Sequence, residues 1–158
     1  MILNFSQDLL ERKTQVDLED EFGTLDPLVC RVFAMCSMLA LMLFNKQLII
    51  TSMRRTTGNH LSGRMVDFDV DEKRQYNGLA PEEAQILADI IALTFCYDLD
   101  RPHFPVAVYG KNDSAGKHWN HIHLQVAWGA RYGSITKFKR MDLIDRWNLN
   151  LAAFASES

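Results

Sequence analysis

Three of the five histidines in this 158-residue chain fall within six positions of the stretch "GKHWNHIHLQV", at the spacing His118-x-x-His121-x-His123. An imidazole changes charge near neutral pH and ligates transition metals through either ring nitrogen, so such a cluster can hold a metal or move protons. Residues 121–128, "HIHLQVAW", read as a strand. With a period of two, His121, His123 and Gln125 share one face, and Ile122, Leu124 and Val126 share the other. The apolar face is the one that meets the core, so the histidines are not core filling. His118 precedes the strand, close enough to curl back over it.

A second stretch of matching chemistry lies upstream. "NHLSGRMVDFD" contains His60, Gly63 and Asp67 in the pattern H-x-x-G-x-x-x-D. His60 sits on a loop entering a strand, and Asp67 sits on that strand's polar face. Gly63 gives the backbone room to turn between them. An imidazole and a carboxylate so placed can bind one metal. One imidazole from the later strand completes three ligands and leaves a position open for water, the arrangement of a catalytic zinc. Bound zinc lowers the pKa of its water to about 7. The reaction then needs a base, for which His118 and His121 are candidates. It also needs a positive group near the developing oxyanion, for which Arg54 and Arg55 are placed just before His60. Because the ligands must be neutral imidazoles, metal affinity is expected to fall below about pH 6.

The elements that must position these groups follow from local patterns. Residues 6–20 read as a surface helix or loosely attached arm, ended by "GTLDPL". Residues 28–45 form a long apolar helix. It is slightly short for a membrane span and contains Arg31, so it reads as a central helix rather than a membrane segment. "QLIITSM" is rich in β-branched residues and reads as a strand. "RMVDFDV" alternates, with Met65, Asp67 and Asp69 on one face and Val66, Phe68 and Val70 on the other, as a half-buried strand does. "LAPEEAQILADIIALTFCYDL" reads as a helix with Pro81 in its first turn and Glu82 and Glu83 near its N-terminus. "VAVYG" is a strand, "KNDSAGK" a turn, and 135–152 a short amphipathic helix. The strands at 106–109 and 121–128 are too close for a helical crossover and must pair antiparallel. The fold class is therefore α+β: a small, mostly antiparallel sheet flanked by helices, in a single domain over residues 1–158 with residues 1–27 as a helical arm.

Composition narrows the function. A net charge of −3 argues against a protein whose main work is binding phosphate backbones. Cys30, Cys36 and Cys96 lie in apolar runs without framework or C-x-x-C spacing, and read as small buried hydrophobes of a reducing compartment. The N-terminus shows no signal-peptide pattern, so synthesis in the cytoplasm is expected.

The order "TSMRR", "HLSGRMVD", helix, strand, "HWNHIHLQV" resembles the zinc peptidases that include D-Ala-D-Ala carboxypeptidases, murein endopeptidases and the hedgehog N-domain. Their hallmark is S-x-H-x-x-G-x-A-x-D followed much later by H-x-H. The resemblance covers about residues 45–128. It implies a hedgehog/D,D-peptidase-like fold and zinc ligands His60, Asp67 and His123. It implies His121 beside the metal, His118 or His121 as base or transition-state stabiliser, and Arg55 on the substrate or oxyanion. It also implies peptidoglycan stem peptides or related D-amino-acid peptides as substrates; the acidic balance and the reading of residues 28–45 as a central helix give the expectation of no nucleic acid and no membrane as partner. Wall access would come by phage lysis, virion delivery or signal-independent export. Gly58 and Met65 stand where the hallmark has Ser and Ala. Asn120 stands where some branches carry a carboxylate, which leaves the base to a histidine.

Two rival readings go with these residues. A zinc-binding module of the same fold could serve as a structural or binding protein without catalysis. The H-hydrophobic-H element also occurs in single-strand DNA nicking enzymes, but these need a helical tyrosine nucleophile. Only Tyr97 lies in a convincing helix, and that reading leaves His60 and Asp67 unexplained.

Overall fold

Strand β3 (Met65–Asp69) occupies the middle of a five-stranded sheet whose order is β1-β2-β3-β5-β4. The computed structural model describes residues 2–53, 63–95, 105–113 and 116–126. The other strands are β1 (Asn4–Phe5), β2 (Ile49–Ser52), β4 (Ala107–Val108) and β5 (His121–Gln125). Pairing is antiparallel between β2 and β3, β3 and β5, and β4 and β5, while β1 runs parallel to β2. The molecule is thus α+β with a small mixed sheet flanked by helices. The expected antiparallel pairing of the two strands around the 110–118 turn is present.

The N-terminal segment is not a loose arm. It forms β1, then helix α1 (Gln7–Arg12) and helix α2 (Gln15–Gly23), with Ser6 and Thr14 as N-caps. Leu18, Phe22 and Leu25 are buried in the core, and Ser6 N–H donates to the Ile50 carbonyl at 2.9 Å. Burying this apolar stripe and the added edge strand is what holds the segment down, and neither is visible in its polar overall composition.

Helix α3 (Pro27–Phe44) begins where the sequence signals it. Asp26 caps it, accepting from Leu28 N–H at 2.8 Å, and Pro27 takes the first turn, where a missing N–H costs nothing. Asn45 ends it in the left-handed conformation, φ 53°. Val29, Val32, Phe33, Cys36 and Ala40 form a buried stripe at helical spacing. By length and composition alone α3 could cross a membrane, with 18 residues and mean hydropathy 2.0. Its inner stripe is core, packed on β3, β5 and helix α4 (Pro81–Phe95), while Met38, Leu41 and Met42 are exposed.

β3 departs from the half-buried expectation. Val66 and Phe68 enter the core as predicted, with Phe68 edge-on to Phe33 at 5.9 Å. Met65 and Asp67 on the opposite face are buried as well, and only Asp69 is partly open. A central strand has neighbours on both edges and side chains from β5 on its polar face, so alternation there marks chemistry rather than solvent. The tail expected as a helix over 135–152 lies outside the described residues.

Candidate active site

The site is built where β3 and β5 face each other. In this pairing Asp67 stands opposite His123, Asp69 opposite His121, and Met65 opposite Gln125. Directly opposed residues on one face bring their side chains together. His123 Nδ1 donates to Asp67 Oδ1 at 2.7 Å, an interaction buried between side chains 9% and 4% exposed. His123 Nε2 lies 3.4 Å from Gln125 Oε1. Burial decreases along β5: Gln125 and His123 are buried, and His121 is partly open.

His118 does curl back over the strand. Its ring centroid lies 5.3 Å from that of His123 and 4.9 Å from that of His121. The stretches 105–113 and 116–118 explain how. Asn112 is buried and pins the turn: it donates to the Ala107 carbonyl at 3.1 Å and accepts from Tyr109 N–H at 2.8 Å. Lys111 N–H donates to Gln85 Oε1 of α4 at 3.0 Å, and Gly110 N–H donates to the His118 carbonyl at 2.7 Å. Gly110 adopts φ +54°, and a Cβ there would run into Gln85 Oε1, so this turn requires glycine. Asp113 then closes the loop. Its Oδ2 accepts from Lys117 N–H at 2.7 Å, His118 N–H at 2.8 Å and His118 Nδ1 at 2.8 Å.

His121 has a different partner. Its Nδ1 donates to Asn120 Oδ1 at 2.6 Å. His118 thus hydrogen-bonds a carboxylate, while His121 hydrogen-bonds an amide and stands opposite Asp69 across the strand pairing. Asp69, opposite His121, has its carboxyl pushed up to about 6, chiefly by burial and then by the nearby Asp71 carboxylate. Gly63, just before β3, adopts φ 71°, a backbone conformation that favours glycine. Its carbonyl accepts from Asp26 N–H at 2.8 Å, which ties the start of β3 to the cap of α3.

Of the residues singled out from the sequence, Asp67, His118, His121 and His123 come together. His60, Arg54 and Arg55 lie outside the described residues, as do Cys96 and Tyr97. Among the described residues no group of three His, Cys, Asp or Glu is placed to hold a metal. Asp67 and His123, the two described members of the expected zinc set, fit the ion in kind, one imidazole nitrogen and one carboxylate oxygen facing each other. Two ligands of one tetrahedral zinc stand about 3.3 Å apart. At 2.7 Å the pair is closed on itself, and holding an ion means exchanging this hydrogen bond for two metal bonds. Sequence reasoning placed Gln125 on the histidine face without giving it a role, and missed Asp113. Asp113 reads as an ordinary turn residue in "KNDSAGK", and only its partner shows otherwise. No protein-family model, curated protein or solved structure matches the chain.

Proposed function

We propose that the protein is a zinc-dependent peptidase of peptidoglycan stem peptides, with a hedgehog/D,D-peptidase-like fold. The observation behind this reading is the buried Asp67–His123 pair, set opposite in register on β3 and β5 and flanked by two further imidazoles. A buried carboxylate–imidazole pair with a second imidazole 5.3 Å from its ring and a third 4.9 Å from the second has donors for a metal and acceptors for a proton in one place.

In this reading His60, Asp67 and His123 hold the zinc. Zinc bound there would supply Lewis acidity toward a water and the scissile carbonyl. His118 or His121 accepts the proton of the attacking water and returns it to the leaving amine, so that the C–N bond breaks to a carboxylate and an amine. Arg55 orients the substrate carboxylate or the oxyanion. Asn120, where some relatives carry an acid, cannot serve as the base.

The test is zinc content per chain together with hydrolysis of purified peptidoglycan. One zinc per chain and release of new amino groups, both lost in His123→Ala, is the expected result. Stoichiometric zinc without cleavage would instead favour a binding module of the same fold, the reading that Asn120 and its bond to His121 keep open. Absence of zinc from protein prepared with the metal present would overturn both.

A further inference from the structure

We propose that a cleft beside the histidine turn is a subsite for an N-acetylated pyranose sugar, whose ring stacks on Trp119 and accepts a hydrogen bond from Tyr109. The choice of an amino sugar rests on the peptidase reading above, since peptidoglycan carries its stem peptides on such sugars. The cleft lies where the first turns of α4 meet the turn after β4. Its volume is about 360 Å³, within the range of cavities that take small molecules.

Tyr109 carries the argument. It belongs to the core and is 1% exposed, yet it lines this cleft. Among the described residues its hydroxyl is buried without a hydrogen-bond partner. A buried donor left unmade costs its whole desolvation penalty, so such a group in a cavity wall marks a place for an acceptor. Burial, then the Glu72 and Glu82 carboxylates, push the phenol up to about 12, so it stays protonated and donates. Glu82, one of these two carboxylates, lines the same cleft. Trp119 stands edge-on to Tyr109, with ring centroids 6.1 Å apart, and is half exposed. A small outward shift of this surface indole opens the phenol to an acceptor.

The charges around the cleft argue for a neutral ligand. Lys111 and Glu82 both line it, and Glu82 is tied to Arg74 at 2.6 Å, so an ion would meet both signs. A wholly apolar ligand would leave the Tyr109 hydroxyl unpaired. A pyranose meets both conditions: its C–H face packs on the indole, and its oxygens accept from the phenol. Half-buried Pro81 and Ile86 supply an apolar wall for the acetamide methyl. The place of the cleft links it to the histidines. His118 and Trp119 are consecutive, with the His118 ring beside that of His123 and the Trp119 ring beside that of Tyr109. Sugar and stem peptide of one substrate can therefore lie on the two sides of one turn, which Gln85 of α4 holds through Lys111 N–H.

The probe is chitotriose, the linear trimer of N-acetylglucosamine, titrated by calorimetry into the chelator-treated full chain, with ligand NMR as a second readout. Saturable binding is expected, with sugar-ring protons shifted upfield by the indole they cover. Trp119→Ala is expected to weaken binding at least about 10-fold and to remove the upfield shift. Tyr109→Phe keeps the ring in the core and deletes only the hydroxyl, and is expected to weaken binding about 3- to 10-fold. Cellotriose, which has the rings without the acetamides, is expected to bind at least about 10-fold more weakly. No binding of chitotriose, binding that either variant leaves unchanged, or equal affinity for cellotriose would overturn the proposal. The measurement needs neither zinc nor cleavage. Chitotriose binding without peptidoglycan cleavage would sink the peptidase reading and leave the subsite standing, and cleavage without chitotriose binding would do the reverse. If Tyr109→Phe does not fold, the surface variant Trp119→Ala and the upfield shift decide it.

Discussion

The three histidines of the cluster stand in three different surroundings. His123 faces a buried carboxylate across the sheet, His118 a buried carboxylate from its own turn, and His121 an amide next to it. Spacing made His121 and His123 legible as a pair on one strand face, and it made Asp67 legible as their counterpart. It could not show which aspartate meets which histidine, since that depends on register. Asp69 illustrates the residue scale in another way. Its folded-state pKa is raised to about 6 from 3.8 by burial and by Asp71. Below pH 4 both folded and unfolded chains are protonated there, and the group has no effect on stability. Between about pH 4 and 6 the unfolded chain ionises first, so stability falls as pH rises, and the loss is complete above 6. The full shift corresponds to about 3 kcal/mol, which partial exposure reduces to roughly 1 kcal/mol. In chelator-treated protein, Asp69→Asn should remove this fall. Urea unfolding at pH 4 and pH 8 measures it, and an identical pH dependence in the variant would sink the assignment.

At the scale of elements, the local signals were strong wherever a pattern was complete within one segment. Asp26-Pro27, the stripe from Val29 to Ala40 and Asn45 define α3 almost to the residue. "RMVDFDV" reads correctly as a strand, yet its burial does not, because periodicity tells which side chains share a face and not what covers that face. β1 was missed because two residues have no period, and a parallel partner more than forty residues away leaves no local trace. β3 is the element on which both core and site depend: Phe68 points into the T-shaped series with Phe33 and Phe22, and Asp67 points into the site. Phe68→Ala is expected to cost about 3–5 kcal/mol, read from the urea midpoint. A loss under 1 kcal/mol would mean that β3 is not the centre of the core. Cys36, fully buried on α3, has its thiol pushed well up by burial. It should react with a thiol reagent at pH 8 only on unfolding, and rapid labelling in the native protein would contradict its placement.

For the whole molecule, a metal held between β3 and β5 would join strands from distant parts of the chain, so it should stabilise the fold and not only the site. Zinc at about 100 times its Kd adds about 2.7 kcal/mol. For a chain of this size that raises Tm by about 5–10 °C. Calorimetry with zinc and with chelator checks this, and His123→Ala should abolish the difference. Equal Tm values in the wild-type protein would remove the metal from the proposal. By itself the sequence determined helices α3 and α4, which side chains share a face on β3 and β5, and the types of residue brought to the site, because caps and periodicities act within a few residues. Only the tertiary structure decided that Asp67 meets His123 across 56 positions, that β1 joins the sheet in parallel, and that Asp113 reaches back to His118. Strand register and loop closure are settled by burial and pairing between segments, and a one-residue slip between β3 and β5 would send Asp67 and His123 to opposite faces.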